Sequence, residues 1–470
     1  MARSLRAVAL LALLCTAVLA GCADAPAAAS DGKAEPVALP EGVSVFHGDG
    51  TPALAPAMLG TPRAFDTGFS GGEPNMGITS SGALFVSAGS TIVRSRDRGE
   101  TWEAVHTHVL LNSDPMMWVD PWTDCIYNVP MFPILLGSTI YESCDDGDTW
   151  GAVHSENVGH GVYDHQKLAS ALPGPEAAAF VGVAHPTVFI ICYNALEATN
   201  CAMSYDGGRT WPIDQPIWTA APTESNDPSC AGQQSHPTGA PDGTIVVAKA
   251  WGCQDPLVFV SRDSGVTWTM RPGPTGIGAD TLDPEIAFTT DGTMYMLWQS
   301  ERGEDFAYLA RSRDLGASWD GVWNVTAPGL GSSIFASLHA GAPGRVAMAF
   351  HATNYTVYPS EAEDDARWHT YFVTSDDADS DDPTFISRRV QPASDPVQVG
   401  GICNGNQGCV DGNRNLLDFI DGGIAPDGTF FTVVSDGCTK GCSTDPDAKP
   451  EDSRARAIVM TRLDGWSLLG

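Results

Sequence analysis

One octapeptide pattern, Ser-x-Asp-x-Gly-x-(Thr/Ser)-Trp, occurs five times: Ser95 to Trp102, Ser143 to Trp150, Ser204 to Trp211, Ser261 to Trp268 and Ser312 to Trp319. The copies start 48, 61, 57 and 51 residues apart. Self-similarity at this period, with short strands between turns, is the sequence signature of propeller blades. Each copy has a mechanical reading. The Ser and Asp oxygens accept hydrogen bonds from the N–H groups of a tight turn, Gly takes the positive φ the turn needs, and Trp packs under the neighbouring hairpin. Asp97, Asp145, Asp206, Asp263 and Asp314, with Trp102, Trp150, Trp211, Trp268 and Trp319, are therefore structural residues. Long helices and coiled coils are excluded by 50 Gly and 33 Pro in 470 residues.

The segments before each copy agree with blades. Each unit opens on a polar residue, often before Pro, followed by a short apolar strand, a turn and a second apolar strand. Glu73-Pro74 leads to Ala83–Ser87, Asp114-Pro115 to Cys125–Val129, and Asp164-His165 to Val188–Tyr193. His236-Pro237 leads to Ile245–Ala248, Asp283-Pro284 to Met294–Trp298, Ser337 to Val346–Phe350, and Asp418–Ile424 to Phe430–Val434. Two weaker octapeptides complete the count. Ser375-Asp376-Asp377 keeps the start but has Asp379 at the Gly position and Asp382 at the Trp position, and Thr461 to Trp466 reads as a shortened ending.

The octapeptide resembles the Asp-box, or BNR repeat, of sialidases and related propellers. The resemblance implies an all-β fold, a β-propeller of seven blades with four antiparallel strands each, the six-bladed sialidase form being the alternative. It also implies that the Asp-boxes lie on the face opposite the functional one. The functional face is then built from residues before each first strand and between each second and third strand.

On that basis the candidate pore lining is Glu73, Asp114, Asp164, His236, Asp283, Glu285, His339, Asp418 and Asp421. A ring dominated by carboxylates reads as a polar, water-filled channel in which a structural calcium ion is possible; no cofactor is required. A sialidase needs three arginines around the substrate carboxylate, a Tyr nucleophile with a Glu partner, and an Asp acid/base. The candidates here are Arg63, Arg302 and Arg414 for the clamp, with Arg454 also on a functional-face loop. Tyr355 or Tyr358 would be the nucleophile, Glu285 its partner and Asp114 the acid/base. The Phe/Tyr-Arg-Ile-Pro signature of sialidases is absent, the nearest segment being Gly60-Thr61-Pro62-Arg63-Ala64-Phe65. An acidic rim also repels a carboxylate sugar. Recognition of an extracellular glycan or protein on the loop face is therefore expected ahead of exo-sialidase or other glycoside hydrolase activity, with a scaffold role in envelope assembly as the third class. Asp377-Ala-Asp379-Ser-Asp381 opens like a calcium loop, but Asp382 at position six and Arg388 at position twelve reject an EF-hand. Gly400 to Asn415 reads as a disulfide-pinned loop on the functional face.

Charge and cysteines set the compartment. Lys+Arg number 25 against 57 Asp+Glu, a net −32, which excludes a nucleic-acid partner. Residues 1–21 read as an export signal, with Arg3 and Arg6 before the apolar run Ala7 to Leu19, too short to span a bilayer. Leu19-Ala20-Gly21-Cys22 resembles the bacterial lipobox, which implies a diacylated Cys22 and anchorage in the cell envelope, outside the cytoplasm. Residues 22–42 read as a flexible tether and 43–470 as the propeller. Ten cysteines remain, an even number in an exported chain. Near neighbours pair plausibly: Cys125 with Cys144, Cys192 with Cys201, Cys230 with Cys253, Cys403 with Cys409, Cys438 with Cys442. If Cys125–Met131 and Ser138–Cys144 are adjacent antiparallel strands in register, Cys125 falls opposite Cys144.

Overall fold

Apolar runs of four to nine residues separated by Gly- and Asp-bearing turns leave the backbone little choice but short strands. In the computed structural model those runs pair into seven sheets. It describes residues 41–54, 61–108, 113–131, 137–158, 164–195, 198–219, 230, 233–279, 283–300, 306–403, 414–438, 455–462 and 465–470. The expected export signal, most of the tether, Cys22, Arg302, Arg454, Cys409 and Cys442 lie outside the described residues.

The chain starts with β1 (Val43–His47) and β2 (Pro62–Ser70), then runs through the blades in order. Blade 1 is β3 (Asn75–Ile78), β4 (Leu84–Ala88), β5 (Thr91–Ser95) and β6 (Glu103–Thr107). Blade 2 is β7 (Ser113–Val119), β8 (Ile126–Met131), β9 (Ser138–Ser143) and β10 (Gly151–Val158). Blade 3 is β11 (Asp164–Ala171), β12 (Val188–Asn194), β13 (Ala198–Ser204) and β14 (Ile213–Thr219). Blade 4 is β15 (Thr238–Gly239), β16 (Ile245–Lys249), β17 (Leu257–Ser261) and β18 (Thr269–Pro272). Blade 5 is β19 (Glu285–Phe288), β20 (Met294–Ser300), β21 (Phe306–Ser312) and β22 (Gly321–Asn324). Blade 6 is β23 (Ser333–Ala340), β24 (Val346–Ala352), β25 (Arg367–Ser375) and β26 (Thr384–Arg389), with β27 (Gln398–Val399) beside β25. Blade 7 has β28 (Asp421–Ile424), β29 (Phe430–Asp436) and β30 (Arg456–Arg462).

The innermost strands touch in a closed ring, β3 to β7, β11, β15, β19, β23, β28 and back to β3. Closure uses the start of the chain. The fourth strand of blade 7 is β2, paired antiparallel with β30 from Pro62 opposite Arg462. β1 adds a further strand outside β26 in blade 6. Because an open sheet edge is a liability, tying the last blade with the first strands seals the ring and covers two edges.

The expected register holds in detail. β8 and β9 place Ile126 opposite Ser143 and Tyr127 opposite Glu142, so Cys125 meets Cys144, and the two are bonded. Cys192 stands opposite Cys201 and is bonded to it, as is Cys230 to Cys253. Cys403 and Cys438 each take part in a further disulfide, not with one another. Three described disulfides belong to a chain that matures in an oxidising compartment. No helix among the described residues is long and apolar enough to cross a membrane.

The Asp-boxes work as the pattern requires. In blade 1, Ser95 Oγ accepts from Gly99 N at 2.8 Å, Asp97 Oδ1 accepts from Thr101 N at 2.8 Å, and Trp102 Nε1 donates to Gly99 O at 2.9 Å. The same bonds recur through Asp145, Asp206 and Asp263. In blade 5 the Asp314 bond persists, while Trp319 donates instead to Pro272 O. In blade 6, Asp377 Oδ1 accepts from Thr384 N, seven residues on, so the loop is longer but the anchoring carboxylate keeps its job. The buried Arg94 and Arg311, on third strands, donate to backbone carbonyls in the next blade's turn, at Asp146 and at Ala378 and Ser380.

Candidate functional site

The seven innermost strands present their first residues to one end of the central channel. Three of these strands begin with a register shift: β7 between Ser113 and Met116, β11 between Asp164 and Lys167, and β23 between Ile334 and Ala336. Each shift holds one non-glycine residue at positive φ, namely Asp114 at 44°, His165 at 53° and Phe335 at 53°. Glu73, just before β3, adopts 51° although it precedes a proline. Left-handed backbone at such residues costs of the order of 1 kcal/mol each and re-aims the side chain. Glu73, Asp114 and His165 are thereby turned toward the channel.

Two groups of side chains result. At the mouth, Glu73, Asp114, Asp164 and Asp418 interact with one another and with Arg414. Arg414 holds Asp418 through both guanidinium nitrogens, with Nη2 2.5 Å from Oδ2. Asp114 Oδ2 accepts from His165 N at 3.3 Å, linking blades 2 and 3. Burial, then the neighbouring Asp114 carboxylate, pushes Glu73 well above the ordinary carboxyl range, and the same two causes push Asp164 up to about 6. A protonated carboxyl both donates and accepts.

In the second group, His165 Nε2 lies 2.7 and 2.8 Å from the two Asp283 oxygens, and Lys167 Nζ lies 3.1 Å from Oδ2. Lys167 Nζ also sits 3.5 Å above the Phe419 ring, whose edge meets the His165 imidazole. Against the cost of burial, His165 and Lys167 hold the Asp283 carboxyl far below its usual range. Next to them, His236 Nδ1 is 3.2 Å from Glu285 Oε1. Burial raises Glu285 well above the ordinary value and lowers His236 to about 4. Burial also raises Asp421, which accepts from Met76 N at 2.9 Å, and lowers His339 to about 4.

The expected pore residues thus converge, as two groups rather than one ring. The expected clamp does not assemble among the described residues. Arg63 lies on β2, the outermost strand of blade 7, paired with Glu100 at 2.9 Å and stacked over Phe65. Arg414 alone reaches the mouth, already bound to Asp418. Tyr355, in the loop between β24 and β25, donates its hydroxyl to Asp365 at 2.5 Å, while Glu285 faces His236. Arg96, Arg98 and Arg313 are engaged around the Asp-box turns. For the calcium expectation, no three channel donors among the described residues lie within 4.8 Å of one another; the one such group is Cys125, Glu142 and Cys144. His165, Lys167 and Phe419 were missed from the sequence. A His-x-Lys pair on an innermost strand, one residue after the polar blade opener Asp164, is the signal that marks them.

The chain is a seven-bladed β-propeller. No family model and no curated protein matches its sequence. Among solved structures the propeller is similar to the intramolecular trans-sialidase from Ruminococcus gnavus, at 14% identity and a TM-score of 0.42 over 84% of this chain and 94% of that one. It is also similar to YCF48 bound to D1 peptide, at 14% identity and 0.46 over 87% and 98%. A third is the Aleuria aurantia lectin in complex with Fucα1-6GlcNAc, at 10% identity and 0.44 over 70% and 99%. These are likenesses of fold, spread over an enzyme, a peptide complex and a lectin, and they carry no argument about activity here.

Proposed function

We propose that the propeller is the recognition domain of a lipid-anchored envelope protein and that its channel mouth binds a neutral, hydroxyl-rich glycan. The observation that carries this reading is the mouth itself. Four carboxyl groups from blades 1, 2, 3 and 7 face one another there, and the arginine beside them is tied to Asp418. The carboxyl oxygens accept from sugar hydroxyls, and Glu73 and Asp164, whose hold on a proton burial strengthens, donate to them when protonated. An anionic sugar meets repulsion without a guanidinium to receive it. The Leu19-Ala20-Gly21-Cys22 segment and the Ala/Pro-rich tether support the anchored placement.

The test is calorimetric titration of the propeller with neutral and sialylated oligosaccharides, run beside a methylumbelliferyl α-sialoside assay. Neutral glycans are expected to bind, with about tenfold loss in Asp114→Asn, and no sialoside is turned over. Sialoside hydrolysis abolished by Arg414→Ala overturns the proposal in favour of a sialidase. Metabolic labelling with a fatty acid, lost in Cys22→Ser, checks the anchor.

A further inference from the structure

The described disulfides differ in access. Cys192 and Cys201 are fully buried, and Cys230 and Cys253 nearly so, whereas Cys144 is exposed and its partner Cys125 is buried. Cys144 ends the β9 side of the hairpin at the Asp-box face, opposite the channel mouth. It lines a solvent-open cleft of about 380 Å³ together with Glu142, Thr149, Val153 and Arg209. The hairpin does not need the bridge for its register. Ile126 pairs with Ser143, Tyr127 with Glu142 and Asn128 with Tyr141 along the ladder, and Ile126, Tyr127 and Ile140 are buried in the core.

A third donor stands beside the two sulfurs. Cys125 Sγ, Cys144 Sγ and a Glu142 carboxylate oxygen all lie within 4.8 Å of one another. The carboxylate is oriented by Tyr127, whose hydroxyl donates to Oε1 at 2.6 Å, and by Arg209, whose Nη2 is 3.6 Å from Oε2. Zinc holds sulfur and oxygen ligands at roughly 2.0–2.3 Å, so three donors this close surround one ion with small side-chain movements, and the cleft supplies a water as fourth ligand. The charges balance. Two thiolates and one carboxylate offset a divalent ion plus the Arg209 guanidinium.

We propose that the Cys125–Cys144 bridge is reducible in the folded protein and that the freed cysteines, with Glu142, bind one thiophilic divalent cation such as Zn²⁺. A dithiol supplies the two electrons. Its thiolate attacks the exposed Cys144 Sγ, breaking the Sγ–Sγ bond and releasing Cys125 as a thiolate that takes a proton. The second thiol of the reductant then displaces Cys144 and closes the reductant's own disulfide. Zinc then replaces both thiol protons, which leave to solvent.

The experiment is graded dithiothreitol treatment of the native chain, with alkylation and peptide mapping of the freed thiols, followed by Zn²⁺ loading, desalting and metal analysis. Cys125 and Cys144 are expected to be alkylated before Cys192 and Cys201, with unfolding absent by circular dichroism and one zinc retained per chain. Cd²⁺ is expected to produce a thiolate charge-transfer band. Glu142→Gln leaves the bridge intact and lowers zinc affinity about tenfold after reduction, while Cys144→Ser abolishes retention. Release of all described cysteines together with loss of fold overturns the proposal, and so does a reduced, folded chain that retains no metal.

Discussion

The two faces of the propeller use the same residue type in opposite ways. At the Asp-boxes, hydrogen bonds from Thr101 and Thr149 hold Asp97 and Asp145 below the ordinary carboxyl range, Asp145 at about 2. Against partial burial, the Thr210, Thr267 and Ser318 donors do the same for Asp206, Asp263 and Asp314. At the channel, burial drives Glu73, Asp164, Glu285 and Asp421 upward. An acid whose charge is met within its own turn is architecture. An acid held where its charge is poorly met is poised for a ligand.

Four variants break or sharpen that contrast. The largest effect is expected at Lys167→Met, which leaves the buried Asp283 carboxylate to His165 alone. Denaturant unfolding should show a loss of about 3 kcal/mol, and a loss comparable to a surface lysine would mean that the channel charges are solvated. Asp263→Ala removes the acceptor for Thr267 N and Oγ1. A cost of about 2 kcal/mol is expected, with glycan binding unchanged in titration; weakened binding would merge the two faces.

Asp164→Asn tests the mouth through pH. Its carboxyl is raised from 3.8 to about 6 in the fold, so its stabilising contribution is complete below the lower value and is lost as pH rises through the upper one. The variant should therefore gain on the native chain between about pH 4 and 6 and hold a lead of about 1 kcal/mol above that, read from melting curves across pH. A lead that does not change with pH would remove Asp164 from the proton-sharing group. The smallest effect belongs to Arg63→Ala, which removes an exposed pair with Glu100. About 0.5 kcal/mol or less is expected, with ligand affinity unmoved. Abolished binding would return Arg63 to the functional face.

Seven repeat units, the hairpin strands within each, the Asp-box bonds and the bonded pairs Cys125–Cys144, Cys192–Cys201 and Cys230–Cys253 were legible in the sequence. Apart from the Trp319 bond to Pro272, all rest on interactions within one blade, so spacing and residue type carry them. The acids at the strand entrances were legible as a class, because a polar residue before each first strand can only face the channel end. Their division into a proton-sharing mouth and an Asp283–His165–Lys167 group was not. That division depends on which blades stand across the ring from one another and on three bulges that no residue pattern announces.

Ring closure separates the two kinds of knowledge most clearly. Thr67 Oγ1 donates to Ala457 O across 390 positions, and Arg98 reaches Asp427 across 329. Repetition along the chain determined how many blades there are and which turn residues hold them. Only the tertiary structure decided that β2 completes blade 7 and that Arg63 therefore faces outward. Local hydrogen bonds are encoded by neighbours in sequence, whereas a contact between the first strand and the last exists only once every blade between them has packed.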